Sequence, residues 1–250
     1  MEGQQREITK MKPVTRVVSL FVSPKALMEN IREYPAVLVP LIICALLAFA
    51  GLPLTNKLVD IQQRTFSNIS IERYGVDYFN YTPFDEDGDL AQTISAVTQI
   101  TTVAMLLISY PLNAFFSALG LFIITKIARG TCKLGQYFSM YTHVFIISAL
   151  GGLLASFLMV TFDTILDSTS LAAVFMPLGD QSMPVFNILS SVTVFNVWIT
   201  ALTVIGVKAV NGFSTVRASV VCITGFVISV AIAVASLSAT FIMYDFMSKV

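Results

Sequence analysis

Charged residues divide the chain into five long apolar windows. No Asp, Glu, Lys or Arg occurs for 23 residues after Glu33, 36 after Asp89, 29 after Lys133, 27 after Asp180 and 27 after Arg217. A helix needs roughly 20 apolar residues to cross the hydrocarbon of a bilayer. The pattern therefore predicts an all-α polytopic membrane protein with five spans, at about residues 36–56, 93–125, 137–162, 184–207 and 218–243.

The second window is too short for two crossings and a turn, but it is longer than one crossing requires. We predict one long helix, in which the polar residues 92–99 lie outside the hydrocarbon and Pro111 allows a kink. We predict helices for all five windows because lipid offers the backbone no hydrogen-bond partner and because the period-two alternation of a β-barrel is absent.

Composition agrees with a protein whose main partner is the lipid bilayer. Hydrophobic residues make up 56% of the chain and charged residues 12%, with a mean hydropathy of +0.79. This composition excludes a soluble globule or a disordered tail. The 15 basic and 15 acidic residues balance, so nothing predicts binding to nucleic acid.

The distribution of charge predicts the orientation of the chain. Eleven of the 15 basic residues fall in residues 1–35, 126–133 and 208–217, whereas 11 of the 15 acidic residues fall on the opposite side of the predicted spans. Lys and Arg accumulate in cytoplasmic segments of membrane proteins. We therefore expect a multi-pass protein of the cell membrane with a cytoplasmic N-terminus and an extracytoplasmic C-terminus.

Residues 1–35 form the predicted cytoplasmic N-terminus and contain an amphipathic helix. Ser23 is suited to cap this helix and Pro24 to begin it. The apolar face consists of residues at helical spacing: Leu27, Met28, Ile31 and Tyr34. One interpretation is an interfacial helix that lies flat on the bilayer. The other is a docking surface for a cytoplasmic partner.

Most of the chain, from about residue 21 to 235 except the acidic loop, resembles one known family of membrane proteins, whose membrane domain would correspond to residues 36–250. The resemblance rests on short motifs in a fixed order: Leu20 to Pro24, Ile31 to Pro35, Val39 to Leu41, Gly130 to Tyr141, Phe186 to Ile188, Asn196 to Trp198 and Ile205 to Val207. In this order they are similar to bacterial Yip1-domain proteins. The resemblance implies a five-helix domain with a cytoplasmic N-terminus. It also implies partners, because eukaryotic members are linked to vesicle trafficking and some bacterial members to ABC-type exporters.

Small and polar residues form stripes along the predicted spans. The stripe residues of spans two, four and five are Ser109, Asn113, Ser117, Gly120, Asn196, Gly225, Ser229 and Ala233. Such residues allow close helix packing and hydrogen bonds between helices in lipid. We expect Asn113 and Asn196 to face the interior of the bundle, because a buried amide needs a partner. The alternative is a polar pathway for a small solute along spans two and four.

Candidate chemistry is sparse elsewhere in the chain. The acidic loop 57–92 offers a candidate calcium site at Asp85, Asp87 and Asp89, but an EF-hand would need a Glu where Ala96 stands. His143 is the one histidine and is expected at the interface. No zinc-helix, nucleophile-elbow or phosphate-loop motif occurs. We therefore expect neither an enzyme nor a cofactor.

These observations favour a non-enzymatic membrane scaffold or accessory subunit of the Yip1 type, associated with an export or trafficking complex. The alternative function is a small-solute channel or transporter. The sequence does not identify the partner protein.

Overall fold

The structure is a computed structural model, and it describes residues 8–75, 89–175 and 184–247. The described residues form nine helices: α1 (Pro13–Val22), α2 (Pro24–Glu33), α3 (Leu38–Tyr74), α4 (Asp89–Ile127), α5 (Leu134–Thr161), α6 (Leu171–Phe175), α7 (Pro184–Ser191), α8 (Val194–Asn211) and α9 (Thr215–Met247).

Five of these helices contain a segment long and apolar enough to cross a membrane. The segments are Leu38–Thr65, Leu107–Ile127, Leu134–Thr161, Val194–Asn211 and Thr215–Ala235. The prediction of an all-helical protein with five spans is therefore confirmed. The second span belongs to a single helix, α4, and Pro111 lies inside it, as the length of the charge-free window predicted.

Helix α3 differs from its predicted end. It continues from the first span through residues 57–74, which were predicted as loop, and stops at Gly75. Gly75 has φ 69°, and its N–H bonds to the carbonyl of Ile71; a left-handed glycine of this kind is a common helix terminator. Asp85 and Asp87 lie outside the described residues, and Asp89 is the first residue of α4.

The fourth span also differs from the prediction, because the helix is interrupted. Helix α7 ends at Ser191, and α8 begins at Val194 after an extended Thr193. Thr193 pairs with Ser170 in an isolated antiparallel bridge, and its side-chain oxygen accepts a hydrogen bond from the Asn196 N–H. The bridge and this cap satisfy backbone groups that a continuous helix would pair within itself.

Helix α5 is the centre of the bundle. It contacts α3, α4 and α8 along the spans, and α1 and α2 at one end. Helices α4, α5, α8 and α9 form a closed ring, because each contacts the next and α9 contacts α4. Helix α3 packs outside this ring against α4 and α5.

The predicted apolar face of α2 packs mainly against the protein, in contrast to the interpretation in which it rests on lipid. Leu27, Met28 and Ile31 are fully buried, and α2 packs along α8 and α5. Tyr34, the fourth predicted member of that apolar face, stays exposed. Ser23 precedes the helix as predicted, but its side chain makes no capping hydrogen bond. The apolar face of α2 is thus covered by the protein itself.

Candidate functional site

A cavity of about 520 Å³ lies inside the ring of α4, α5, α8 and α9. Six of the predicted stripe residues line it: Ser117, Gly120, Asn196, Gly225, Ser229 and Ala233. Helices α4, α8 and α9 therefore bring their polar stripes to one place. At Gly225 there is room for a side chain, because an added methyl group would come no closer than 3.6 Å to its nearest neighbour, Cδ1 of Ile124.

The interrupted fourth span lies at the edge of this cavity. Both Ser191, the last residue of α7, and Asn196, in the first turn of α8, line it. The Asn196 side chain bridges the interruption, because its Nδ2 donates to the Ser191 carbonyl at 2.9 Å. Backbone that leaves helical geometry at membrane depth is tolerated where protein or a cavity surrounds it. The amide of Asn196 still offers Oδ1 as an acceptor.

Hydroxyl groups of α8 and α9 continue the polar lining. Thr200 donates to the carbonyl of Asn196 at 2.8 Å, Thr203 to that of Ile199 at 2.8 Å, and Ser229 to that of Gly225 at 2.9 Å. Each hydroxyl donates its only hydrogen to a carbonyl of its own helix, and its oxygen can still accept a hydrogen bond. These three oxygens are therefore available as acceptors, whereas the hydroxyls of Ser117, Ser148 and Tyr141 in the same lining can also donate.

The cavity is neutral and has a closed and an open side. None of its described lining residues is an Asp, Glu, Lys or Arg. Leu121, Thr203 and Cys222 are almost completely buried and form the closed side. Phe116 and Ile232 also line the cavity, yet they are 61% and 65% exposed. Since both lie within membrane spans, the open side has an apolar rim.

Close packing of α5 on α8 fixes one wall of the cavity. A methyl group added to Gly151 would lie 2.8 Å from both Cδ1 and Cδ2 of Phe195, a distance that real contacts do not reach. Phe195 precedes Asn196 in the first turn of α8. The absence of a side chain at Gly151 therefore determines how near the interrupted end of α8 lies to α5.

A second polar cluster holds the helices together at the end of the bundle that carries the basic turns. Asn211 Nδ2 donates to the Tyr137 hydroxyl at 2.6 Å, and Asn211 Oδ1 accepts from the Cys132 N–H at 3.4 Å. In the same region the Arg217 guanidinium donates to the Ala128 carbonyl. Burial raises the pKa of the Cys132 thiol to about 11, so this thiol is protonated at neutral pH.

The α1–α2 pair is attached to the same end of the bundle. Arg16 is buried and donates from NH2 to the Asn30 side chain at 2.8 Å and to the Tyr34 carbonyl at 2.6 Å. Asn30 in turn donates to the Thr9 carbonyl at 2.8 Å. Ser139 of α5 exchanges hydrogen bonds with the backbone of Ala36. These contacts make the N-terminal helices part of the bundle.

Three predicted features lie away from the cavity. Asn113 is exposed on α4, in contrast to the inward orientation expected from the sequence, and Ser109 is half-buried in the same helix outside the cavity lining. His143, which was expected at the interface, is buried inside the protein with Nδ1 2.7 Å from the Ser139 carbonyl. Among the described residues no group of three His, Cys, Asp or Glu is arranged to hold a metal ion. Asp85 and Asp87 lie outside those residues.

Several residues of the site were missed by the sequence analysis. Thr200 and Thr203 follow Asn196 at steps of four and three, which is helical spacing, so the stripe of the fourth span could have been extended to them. Ser148 of α5 also lines the cavity. No local signal identifies Gly151 or Ser191, because their roles depend on contacts with other segments.

Comparison with known proteins agrees with this architecture. The family model of the Yip1 domain matches residues 18–238. The chain is also similar to the membrane protein YknW of Bacillus subtilis (strain 168), with 25% identity over 209 residues, which are 80% of this chain and 81% of YknW. No solved structure matches the chain significantly. Because the Yip1 model covers most of the sequence, including every helix that lines the cavity, this membrane protein belongs to the Yip1-domain family.

Proposed function

We propose that this protein is a non-enzymatic accessory subunit of a cell-membrane complex, and that it holds a partner protein involved in export or trafficking. Membership of the Yip1 family supports a membrane accessory role. Components of ABC-type exporters are the first partners to test, because the family resemblance includes bacterial members that work beside such exporters. The observation that carries the proposal is the length of α3.

Helix α3 contains 37 residues, which at 1.5 Å per residue gives about 55 Å. The hydrocarbon core is about 30 Å thick, so the helix extends roughly 25 Å beyond it. We call residues 57–74 the α3 extension. Beyond Thr65, where the apolar segment ends, it exposes the apolar side chain of Ile71 and the acidic side chain of Glu72. A helix that carries such residues outside the bilayer is suited to contact another protein.

One ion pair anchors the base of the α3 extension. Arg64 NH2 lies 3.0 Å from Asp163 Oδ1, just beyond the end of α5, and Arg64 Nε lies 3.5 Å from Asp60. Exposed ion pairs of this kind each contribute about 0–1 kcal/mol. Their effect here is to orient the extension more than to stabilise the fold.

Site-specific photo-crosslinking in native membranes tests the partner. A photoreactive amino acid at Ile71, in the extension, is compared with one at Ile42, in the span of the same helix; both side chains are 48% exposed. We expect a discrete protein adduct from Ile71 and none from Ile42. The adducted protein should be an integral component of an exporter and should co-purify with this protein at a constant ratio. Identical products from both positions would contradict the proposal.

The proposed orientation places the N-terminus in the cytoplasm. It is supported by contacts that gather the basic segments at one end: Gln136 donates to the Arg32 carbonyl, and Asn211 accepts from the Cys132 N–H. After replacement of the three native cysteines, a membrane-impermeant maleimide should label a Glu72→Cys variant in intact cells. An Arg129→Cys variant should react only after permeabilisation. Equal labelling of both variants in intact cells would refute this orientation.

The cavity favours a second candidate function, the passage of a small uncharged solute. Its polar lining residues come in part from α4 and α8, the helices of spans two and four, along which the sequence analysis considered a solute pathway. Flux of glycerol into proteoliposomes of the purified protein tests this candidate. Transport that disappears in a stable Asn196→Leu variant would support it, and no flux above that of empty liposomes would exclude glycerol-like solutes.

A further inference from the structure

We infer that the cavity between α4, α5, α8 and α9 is a binding site for an uncharged lipid with a hydroxyl head group, of the diacylglycerol or long-chain alcohol type. This inference does not depend on the accessory role proposed above. Its volume of about 520 Å³ falls in the range of roughly 300–1,000 Å³ that ligand pockets occupy.

The neutral lining excludes charged ligands. The described lining residues are apolar, hydroxyl-bearing or amide-bearing, and they include no acidic or basic side chain. A phosphate or ammonium group placed here would lose its hydration and find no opposite charge, which is strongly unfavourable. The common phospholipids are therefore poor candidates for complete entry.

The hydrogen-bonding state of the lining favours a hydroxyl group, which can both donate and accept. Thr200, Thr203 and Ser229 already donate to carbonyls of their own helices, and Asn196 Nδ2 donates to the carbonyl of Ser191. The oxygens of these groups can still accept a hydrogen bond, and the hydroxyls of Ser117, Ser148 and Tyr141, which also line the cavity, can donate one. A ligand hydroxyl can donate to one of these oxygens, whereas an ester or ether group without a hydrogen cannot.

The apolar rim indicates that the ligand enters from the bilayer. Phe116 of α4 and Ile228 and Ile232 of α9 line the cavity and are exposed within membrane spans. A solute from water would have to cross this apolar surface, but a lipid chain lies against it already. Phe145 and Phe226 extend the apolar lining, so a chain can lie beside them while the hydroxyl group reaches α8.

Competitive photolabelling tests the inference. The intact protein is placed in phosphatidylcholine nanodiscs with a diazirine derivative of oleyl alcohol, and labelled peptides are mapped by mass spectrometry. Dioleoylglycerol and dioleoylphosphatidic acid serve as competitors, because they share their chains and differ in the head group. We expect labels on α8 and α9 residues of the cavity, and competition by dioleoylglycerol about tenfold stronger than by the acid.

Variants that fill the cavity test whether the labelled lipid binds there. Gly225→Leu and Gly120→Leu introduce a side chain from two different walls, and neither added methyl group would approach another atom closely. Gly152→Leu is the matched control, since Gly152 is exposed on α5, does not line the cavity and has nothing within 4 Å of an added methyl group. Both filling variants should lose at least about 80% of the specific label, and the control should keep it. Trp198 fluorescence verifies folding of each.

Three results would overturn the inference. One is labelling spread evenly over all lipid-facing helices. Another is equal competition by dioleoylglycerol and dioleoylphosphatidic acid. The third is unchanged labelling in a folded filling variant, whichever wall carries it. Glycerol flux without specific lipid labelling would indicate an aqueous pathway in its place. The α3 crosslinking result is unaffected by any of these outcomes.

Discussion

Two adjacent glycines in α5 allow a direct test of how tightly α5 and α8 are packed. Gly151 is buried against the ring of Phe195, whereas Gly152 is exposed and has nothing within 4 Å of an added methyl group. Replacement of each by Ala adds the same atoms to the same helix. The two variants differ only in what the new methyl group meets.

The expected difference follows from two opposing effects. Alanine is favoured over glycine inside a helix by about 1 kcal/mol, and both variants gain this. In Gly151→Ala the methyl group would lie 2.8 Å from two ring carbons of Phe195. The ring belongs to the first turn of α8 and packs against the core, so it can yield only if α8 shifts. Overpacking of this kind costs about 1–3 kcal/mol. The free energy of unfolding of Gly151→Ala should therefore be about 1–3 kcal/mol below that of Gly152→Ala.

Equilibrium unfolding by SDS in mixed micelles measures this difference. Trp198 is the one tryptophan of the chain and lies in α8, so its fluorescence reports on the helix that must move. We expect Gly152→Ala to unfold at or above the wild-type SDS concentration and Gly151→Ala below it. Coincident transitions for the two variants, or a more stable Gly151→Ala variant, would refute the packing argument.

Three further predictions concern other parts of the bundle. Asn211→Leu removes two hydrogen bonds between segments and should lower the free energy of unfolding by about 1–3 kcal/mol. Asn113→Leu, at an exposed site in a span, should leave the free energy of unfolding unchanged or raise it. Unfolding of both variants by SDS titration measures the difference. Because the pKa of Cys132 is raised to about 11, its thiolate fraction increases with pH up to that value. In a variant that retains only this cysteine, the rate of labelling by a thiol reagent should therefore rise about tenfold per pH unit between neutral pH and about pH 10. A labelling rate independent of pH would show that opening of the structure limits the reaction. Arg129 has φ 58°, a left-handed conformation that costs a side-chain-bearing residue about 1–2 kcal/mol, so Arg129→Gly should not destabilise the protein; a clear decrease in its thermal midpoint would contradict this.

The polar stripe residues differ in where they lie in the structure. Gly225, Ser229 and Ala233 were predicted to share one face, and all three line the cavity. On α4, Ser117 of the corresponding stripe lines the cavity, whereas Asn113 is exposed. Residues four apart differ by about 40° around a helix, so a stripe with a step of four winds around the helix and does not stay on the face that meets the adjacent helix. The sequence contains the stripe, but the position of the neighbouring helix determines which part of it is covered.

The sequence by itself determined the five spans, the single long second helix and the family. The spans and the long helix follow from the bilayer, because hydrocarbon excludes charge and requires every backbone group to be paired within a helix. The tertiary structure alone decided where the fourth span is interrupted and what covers α2. The interruption depends on pairing between Thr193 and Ser170, and the burial of Met28 depends on α8. Contacts between distant segments leave no periodic pattern in either segment, and the cavity exists only because four such helices close around it.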